Sequence, residues 1–194
     1  MKTTKISTIF LATAAVLTLG VAAAYAQESV NVKMTFSGTS ENSANNLQQP
    51  NTSNDEDNFA GTGTLGSFTL RNVRAISNSP SSSDTCSGTN DLFLPELAGG
   101  GVFRFQDGSL LDLQLTQGGD CIDLTTGEAH CALTFQITGG TGRFRNASGT
   151  LTLTETVLTV ISDAVGNPVF FVATGEITGT VSGVSDEQDQ GGGY

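Results

Sequence analysis

A glycine-rich corner between two alternating segments constrains the fold of this chain more than any other feature. Apolar and polar residues alternate upstream of it, over residues 129–138, and again downstream, over residues 150–154. A period of two is typical of a β-strand with one buried face. Gly139, Gly140 and Gly142 lie between the two segments and tolerate the backbone angles of a sharp turn. The sequence therefore predicts two neighbouring strands joined by a tight corner.

The same corner carries a single aromatic residue that can anchor it. Phe144 stands among Arg143, Arg145 and Asn146, so we expect its ring to enter the core and fix the chain after the glycines. Gly149 then marks a bulge or bend where the next strand begins. A phosphate-binding loop is disfavoured, because its glycines would open a helix and both flanks here have strand spacing.

The residues of the corner resemble a known family. The run Ile137-Thr138-Gly139-Gly140-Thr141-Gly142-Arg143-Phe144, followed by Ala147 and Gly149, is similar to the Gly-Gly-Thr/Ser-Gly-x-Phe corner of the allene oxide cyclase and dirigent barrels. Secreted bacterial barrels carry a similar segment. The resemblance implies a closed or nearly closed eight-stranded antiparallel barrel of the calycin-like kind. A shared scaffold does not transmit a function, so it implies much less about chemistry.

The rest of the chain also predicts an all-β protein. The clearest hairpin joins residues 102–106 to residues 110–116 through Asp107 and Gly108, a strong turn signal. Its side chains predicted to face inward are Phe103, Phe105, Leu111, Leu113 and Leu115. After the first 26 residues, no segment keeps helical spacing for three turns.

The N-terminus predicts export. Residues 1–26 combine two lysines, a short apolar run and Ala24-Tyr25-Ala26, which together are typical of a cleaved secretory signal. We expect a periplasmic or extracellular protein with one barrel domain over residues 27–184. The net charge of −11 argues against nucleic acid and anionic membranes as partners, since both require a basic face. No later segment is apolar enough to predict a membrane span.

Two polar segments are predicted to lie outside the barrel wall. Residues 39–58 are rich in Asn, Ser, Gln and acids, and predict a long mobile loop. Asp55 and Asp57 invite a calcium interpretation, but the EF-hand spacing fails at Phe59, so a solvated acidic loop is favoured. Residues 185–194 predict a disordered acidic, glycine-rich tail. We expect no metal and no cofactor.

Three cysteines enter the predicted oxidising compartment, which predicts one disulfide and one free thiol. Cys131 lies on the apolar parity of its strand and can be a buried thiol, whereas Cys86 and Cys121 lie in polar segments. A Cys86–Cys121 bond is therefore favoured over a Cys121–Cys131 bond. The cysteines and His130 lack the paired short spacing of structural zinc sites.

Glu155 is the anomalous residue and the one catalytic candidate. It shares its strand parity with Leu151, Leu153 and Val157, so an unbroken strand carries its carboxylate into the barrel. Two other interpretations stay open: a local bulge returns Glu155 to solvent, or it lies at the barrel mouth beside an arginine. His130 has the opposite parity from its apolar neighbours and is expected to face outward.

The sequence leaves three functional hypotheses, with a non-enzyme favoured. The first is a secreted barrel that binds a small apolar molecule or has an envelope or extracellular role. The second is a cyclase or dirigent-like auxiliary that steers a reactive intermediate, in which the resemblance implies Glu155 as the acid. The third is an adhesion or matrix component. Candidate ligand-binding residues are Phe103, Phe105, Leu113, Phe135 and Glu155.

Overall fold

The chain forms a closed antiparallel barrel of eight strands, as predicted. A computed structural model describes residues 28–82, residue 86 and residues 91–185. The predicted signal sequence and residues 186–194 of the predicted tail lie outside the described residues. The strands are β1 Ser29–Asn42, β2 Thr52–Gly63, β3 Phe68–Ser77, β4 Asp91–Phe105, β5 Leu110–Asp123, β6 Ala129–Gly140, β7 Ser148–Ser162 and β8 Pro168–Ser182.

Each strand pairs with the next along the chain, and β1 pairs with β8 to close the wall. Closure leaves no free sheet edge, so every strand finds backbone partners on both sides. The predicted hairpin is present, with β4 and β5 joined through Gly108 at φ +84°. Its predicted inward residues, Phe103, Phe105, Leu111, Leu113 and Leu115, are all buried.

The prediction of a long polar loop over residues 39–58 is wrong. β1 continues to Asn42 and β2 begins at Thr52, so the connection is confined to residues 43–51. The two strands pair from Met34 with Gly63 to Asn42 with Asp55. Their backbone hydrogen bonds form regardless of side-chain polarity, and the interior against which β2 packs is itself partly polar. A solvated Asp57 is likewise wrong, because this residue is fully buried.

One end of the barrel is closed by the glycine corner and its aromatic anchor. A short 3-10 helix, Gly142–Phe144, follows β6, and the Phe144 side chain is fully buried with its ring centroid 4.7 Å from that of Phe105. Gly142 has φ +57°, and a Cβ there would lie 2.4 Å from Ser109 Oγ, so the turn requires glycine. The corner therefore plugs the barrel with apolar side chains.

Arg143 secures this closed end. Its guanidinium lies over the rings of Phe105 and Phe144, pairs with Asp107 at 2.9 Å, and donates a hydrogen bond to the Leu65 carbonyl oxygen at 2.6 Å. These contacts engage the charge within the protein, which leaves no role for this arginine in holding phosphate.

Gly149, predicted to mark a bulge or bend, lies within β7 opposite Val181 without a shift in register. A Cβ at this position would lie 2.1 Å from the Thr180 carbonyl oxygen. The glycine therefore permits a close approach of β7 to β8.

The favoured disulfide, Cys86–Cys121, is present, and Cys131 is a buried free thiol. Cys121 pairs across the sheet with the outward-facing His130, whereas Cys131 pairs with the buried Asp120. The disulfide thus lies on the outer face of the wall, and the thiol lies on the inner face.

Replacement of Phe144 by alanine should lower the free energy of unfolding by about 3–5 kcal/mol, because it leaves a cavity in the plugged end. Urea unfolding followed by circular dichroism measures this change. Val165→Ala, at a side chain that is 82% exposed, is the matched control and should change stability by less than about 0.5 kcal/mol. Equal midpoints for the two variants would show that the corner does not anchor the barrel.

Candidate functional site

A buried arginine lies at the centre of the barrel interior, beyond the aromatic core. Arg74 projects inward from β3 and is 2% exposed. Four carboxyl groups from four other strands surround it, and together with Arg74 they are called the Arg74 cluster: Asp57 on β2, Glu96 on β4, Asp120 on β5 and Glu155 on β7. One guanidinium thus links five strands of the wall.

Arg74 makes its closest contacts with Asp57 and Glu96. Its Nε lies 2.8 Å from Asp57 Oδ2, and its Nη2 donates a hydrogen bond to Asp57 Oδ1 at 3.1 Å. Nη1 donates a hydrogen bond to Glu96 Oε1 at 2.5 Å. Asn72 adds a hydrogen bond from Nδ2 to Asp57 Oδ2 at 3.1 Å. Two-point pairing of this kind fixes the orientation of the guanidinium plane.

Asp120 and Glu155 lie farther from the guanidinium. Arg74 Nη2 is 3.4 Å from Glu155 Oε1, and Arg74 Nη1 is 3.9 Å from Asp120 Oδ1. Among the described residues, neither oxygen of Glu155 nor Oδ1 of Asp120 has a hydrogen-bond partner. These carboxyl groups interact with Arg74 through its charge, and the Cys131 thiol lies close enough to interact with both.

Burial and the excess of acids decide the protonation of the cluster. Burial raises the pKa of Glu155 to about 8 against the opposing charge of Arg74, with Asp57 and Asp120 adding to the rise. Burial also raises the pKa of Glu96 well above its usual value. For Arg74, burial alone would lower the pKa, but the surrounding carboxyl groups raise it, so its guanidinium stays charged.

Strand parity accounts for three of the five residues of the Arg74 cluster. Asp57 shares the inward parity of Phe59 on β2, and Arg74 shares that of Leu70 on β3. Glu155 shares the inward parity of Leu153 on an unshifted part of β7. Alternation along β2 and β3 could therefore have placed Asp57 and Arg74 in the interior, whereas from the sequence we assigned Asp57 to a solvated loop and did not name Arg74.

Two β-bulges bring the remaining two residues of the cluster, Glu96 and Asp120, into the interior. In β4, Leu97 is an extra residue opposite β3. On one side of this bulge the inward parity includes Gly99, and on the other side it includes Glu96. In β5, Thr116 is the extra residue. Leu115 faces inward before this bulge, and Asp120, of the opposite parity, faces inward after it. A bulge reverses the side-chain parity beyond it, so alternation cannot place Glu96 or Asp120 in the interior.

A cavity of about 370 Å³ extends from the open end of the barrel down to the Arg74 cluster. We call it the mouth cavity. Its floor includes Arg74, Asp120 and Cys131, and Asp55 lies on its wall. Its apolar lining residues are Ile76, Leu94, Ile122, Val157 and Phe171. The cavity therefore combines apolar walls with a charged floor.

Asp55 and Cys131 have shifted pKa values in this setting. Burial raises the pKa of Asp55 to about 6, Arg74 opposes this rise, and Asp57 and Asp120 add to it. Burial likewise raises the pKa of the Cys131 thiol well above its usual value, so it stays protonated. Asp55 is thus the cavity-wall group that titrates close to neutral pH.

The sequence candidates fall mainly outside this cavity. Phe103, Phe105, Leu113 and Phe135 are buried in the apolar core and do not line the mouth cavity. Glu155 faces the interior, as an unbroken strand predicts, and lies beside an arginine, but it contacts Arg74 from behind the cavity floor. Its catalytic role stays a prediction. Of the residues on the floor, Cys131 was predicted as a buried thiol, whereas Arg74 and Asp120 were missed.

A larger depression of about 820 Å³ lies on the outer face of the wall. Its lining includes Thr152, Thr154 and Thr156, which alternate with the inward residues of β7, and the outward His130. The His130 imidazole is largely exposed and lies 3.3 Å from Glu128. Glu155 and Cys131 also border this depression, but both carboxyl oxygens of Glu155 are shielded from solvent. Arg74, Asp55 and Asp120 line the mouth cavity instead, so the mouth cavity is the better candidate site.

The described part of the chain offers neither a metal site nor a helix that could span a membrane. Residues 28–82, 86 and 91–185 contain no group of three or more His, Cys, Asp or Glu side chains placed to hold a metal ion. No helix among them combines the length and the apolar character needed to cross a membrane.

Comparisons with known proteins find distant similarity to solved structures. No protein-family model matches the sequence, and no curated protein matches it. The similar solved structures include the pterocarpan synthase dirigent proteins PsPTS1 and GePTS1. PsPTS1 has 13% identity and a TM-score of 0.41, with 82% of this chain and 97% of that one covered. GePTS1 has 12% identity and a TM-score of 0.38, with 89% and 99% covered. Likeness at this level carries no argument about function.

The Arg74 cluster predicts a stability that falls as pH rises. The folded protein holds a proton on Glu155 up to about pH 8, whereas the ordinary pKa of a glutamic acid is 4.5. The raised pKa therefore favours the folded state at low pH, and this contribution to stability is lost as the pH rises from about 4.5 to about 8. Glu155→Gln keeps the neutral shape and should make the slope of unfolding free energy against pH shallower, by up to about 1.4 kcal/mol per pH unit.

Urea unfolding between pH 5 and pH 8 measures this slope. Glu41→Gln, at an exposed carboxylate on the outer face of β1, is the control and should keep the wild-type slope. A wild-type slope in Glu155→Gln would mean that Glu155 is ionised in the folded protein throughout this range.

Proposed function

We propose that this protein is a small-molecule-binding barrel whose ligand enters the open end and occupies the mouth cavity. The observation that carries the proposal is the cavity of about 370 Å³ between apolar walls and the Arg74 cluster. Small-molecule sites generally occupy roughly 300–1,000 Å³ and combine apolar walls with a few convergent polar groups. The opposite end is plugged by the aromatic core, so the ligand has one route in.

The composition of the cavity supports binding without requiring catalysis. Its apolar walls remove the body of a ligand from water, and the charged side chains Arg74, Asp55 and Asp120 can fix its orientation. The preformed barrel wall lowers the ordering cost of binding. These features favour the first of the three functional hypotheses, with the ligand held at the mouth and away from Phe103 and Phe105.

Steering of a reactive intermediate is the second candidate. Asp55 favours it, because a cavity-wall carboxyl whose pKa lies at about 6 can give or take a proton near neutral pH. In this proposal Asp55 takes the acid role that the family resemblance implied for Glu155. The carboxyl group of Glu155 would act on the reaction only through Arg74.

An exported location completes the proposal. The Cys86–Cys121 disulfide supports it, because such bonds persist in oxidising compartments. Cleavage after residue 26 and a periplasmic or extracellular site stay predictions. An adhesion role also stays a prediction.

A neutral fluorescent probe tests the binding proposal. N-phenyl-1-naphthylamine should bind with saturable 1:1 fluorescence enhancement, because the mouth cavity shields it from water. Thr159→Trp should reduce this affinity by at least about ten-fold, since Thr159 lines the cavity at an exposed rim position where a large side chain obstructs entry without overpacking the core.

Leu158→Trp is the matched control, because the neighbouring side chain is 47% exposed and does not line the cavity. It should bind the probe as wild type does, and circular dichroism checks that both variants fold. The proposal fails if the probe does not saturate, or if Thr159→Trp and Leu158→Trp bind it equally. Native mass spectrometry of the wild type, as isolated, would identify any retained ligand by mass.

A further inference from the structure

The mouth cavity contains more acidic than basic groups, and this imbalance identifies a class of ligand. Five inward carboxyl groups, from Asp55 and the four acids of the Arg74 cluster, share a single guanidinium. Two of them, Glu96 and Glu155, retain protons because of their burial, which raises their pKa values. The other three carboxyl groups still outnumber the single guanidinium of Arg74, so the site has an excess of negative charge.

Arg74 is directed mainly towards acids other than Asp120. Its Nε and Nη2 face Asp57, and its Nη1 donates a hydrogen bond to Glu96. Its distance to Asp120 Oδ1 is 3.9 Å, which is too long for a hydrogen bond. The carboxyl group of Asp120 therefore faces the cavity with a charge that Arg74 only partly offsets.

Asp120 meets the requirements for a ligand contact. Its side chain is 9% exposed and lines the cavity, and its Oδ1 is shielded from water without a hydrogen-bond partner among the described residues. Arg74, at 3.9 Å, and the Cys131 thiol therefore compensate this carboxyl group only in part. A cation that approaches its accessible side from the cavity would add to that compensation.

Asp55 supplies a second acceptor in the same cavity. It lines the wall, is partly accessible, and lies close enough to Asp120 for the charge of that residue to raise its pKa. Two carboxyl groups that repel each other across a cavity favour a cation between them. A carboxylate or phosphate ligand would instead meet this repulsion, with Arg74 already engaged.

We propose that the mouth cavity takes an apolar molecule bearing one protonated amine, with the ammonium group between Asp120 and Asp55 and the apolar body against Val157 and Phe171. The inference rests on the proposed function and adds the charge class of its ligand. An ammonium group brings several donors and one positive charge, which matches the two carboxyl groups that line the cavity and the charge deficit. A neutral alcohol brings a donor without the charge.

Three probes of one shape test the inference: cyclohexylmethylamine, cyclohexylmethanol and cyclohexanecarboxylate. Each competes with N-phenyl-1-naphthylamine at pH 7 and about 0.15 M salt, which screens the acidic outer surface. The amine should displace the fluorophore with an affinity about ten-fold or more above that of the alcohol, because hydrogen bonds to charged groups are stronger. The carboxylate should displace it least.

Two variants place the effect in the cavity. Asp120→Asn and Asp55→Asn keep the shape and remove the charge, so each should bring the amine affinity towards that of the alcohol while leaving the alcohol affinity within about three-fold. Glu41→Gln removes an equal charge from the outer face and should retain the full preference. Asp55 is only partly buried, so its variant remains informative if Asp120→Asn does not fold.

The outcomes separate the inference from the function on which it rests. If the alcohol competes as well as the amine, the cationic class is wrong and the binding function stands. If the amine is preferred but neither asparagine variant reduces the preference, the attraction comes from the surface and the inference is overturned. If the fluorophore itself does not bind in the cavity, both proposals fail.

Discussion

The pairing of Arg74 with carboxyl groups is the interaction on which the interior depends. A single buried guanidinium would be strongly unfavourable alone, and removal of one partner from such a pair commonly costs about 3–5 kcal/mol. Here Asp57 and Glu96 bind it directly, while Asp120 and Glu155 lie at longer range. Because these groups come from five strands, the charges also define how the wall closes around the open end.

The barrel divides its interior between two chemistries. At the closed end, Phe105, Phe144 and their neighbours fill the interior with apolar side chains. At the open end, the polar floor prevents the same dense apolar packing and leaves the mouth cavity. Apolar burial and aromatic contacts stabilise the first region, which allows the second to keep unsatisfied acceptors that a protein core would otherwise not tolerate.

Alternation in the sequence predicted the closed end well and the open end poorly. Phe103, Phe105 and the glycine corner were placed correctly because their apolar parity follows regular strands. The segment over residues 39–58 was predicted as a loop because its side chains are mostly polar. They belong to strands that pack against a partly polar interior. Glu96 and Asp120 could not be placed at all, since each is separated from the regular apolar part of its strand by a bulge whose position depends on the partner strand.

The two faces of the wall also separate the sulfur atoms. Cys121, on β5, points outward and is bonded to Cys86. Cys131, on the adjacent strand β6, points inward. Exchange between them requires a thiolate to reach a disulfide sulfur. Burial keeps the inner thiol protonated, and the sheet backbone lies between it and the bond. The fold is thereby protected against disulfide scrambling, even though it carries an odd number of cysteines.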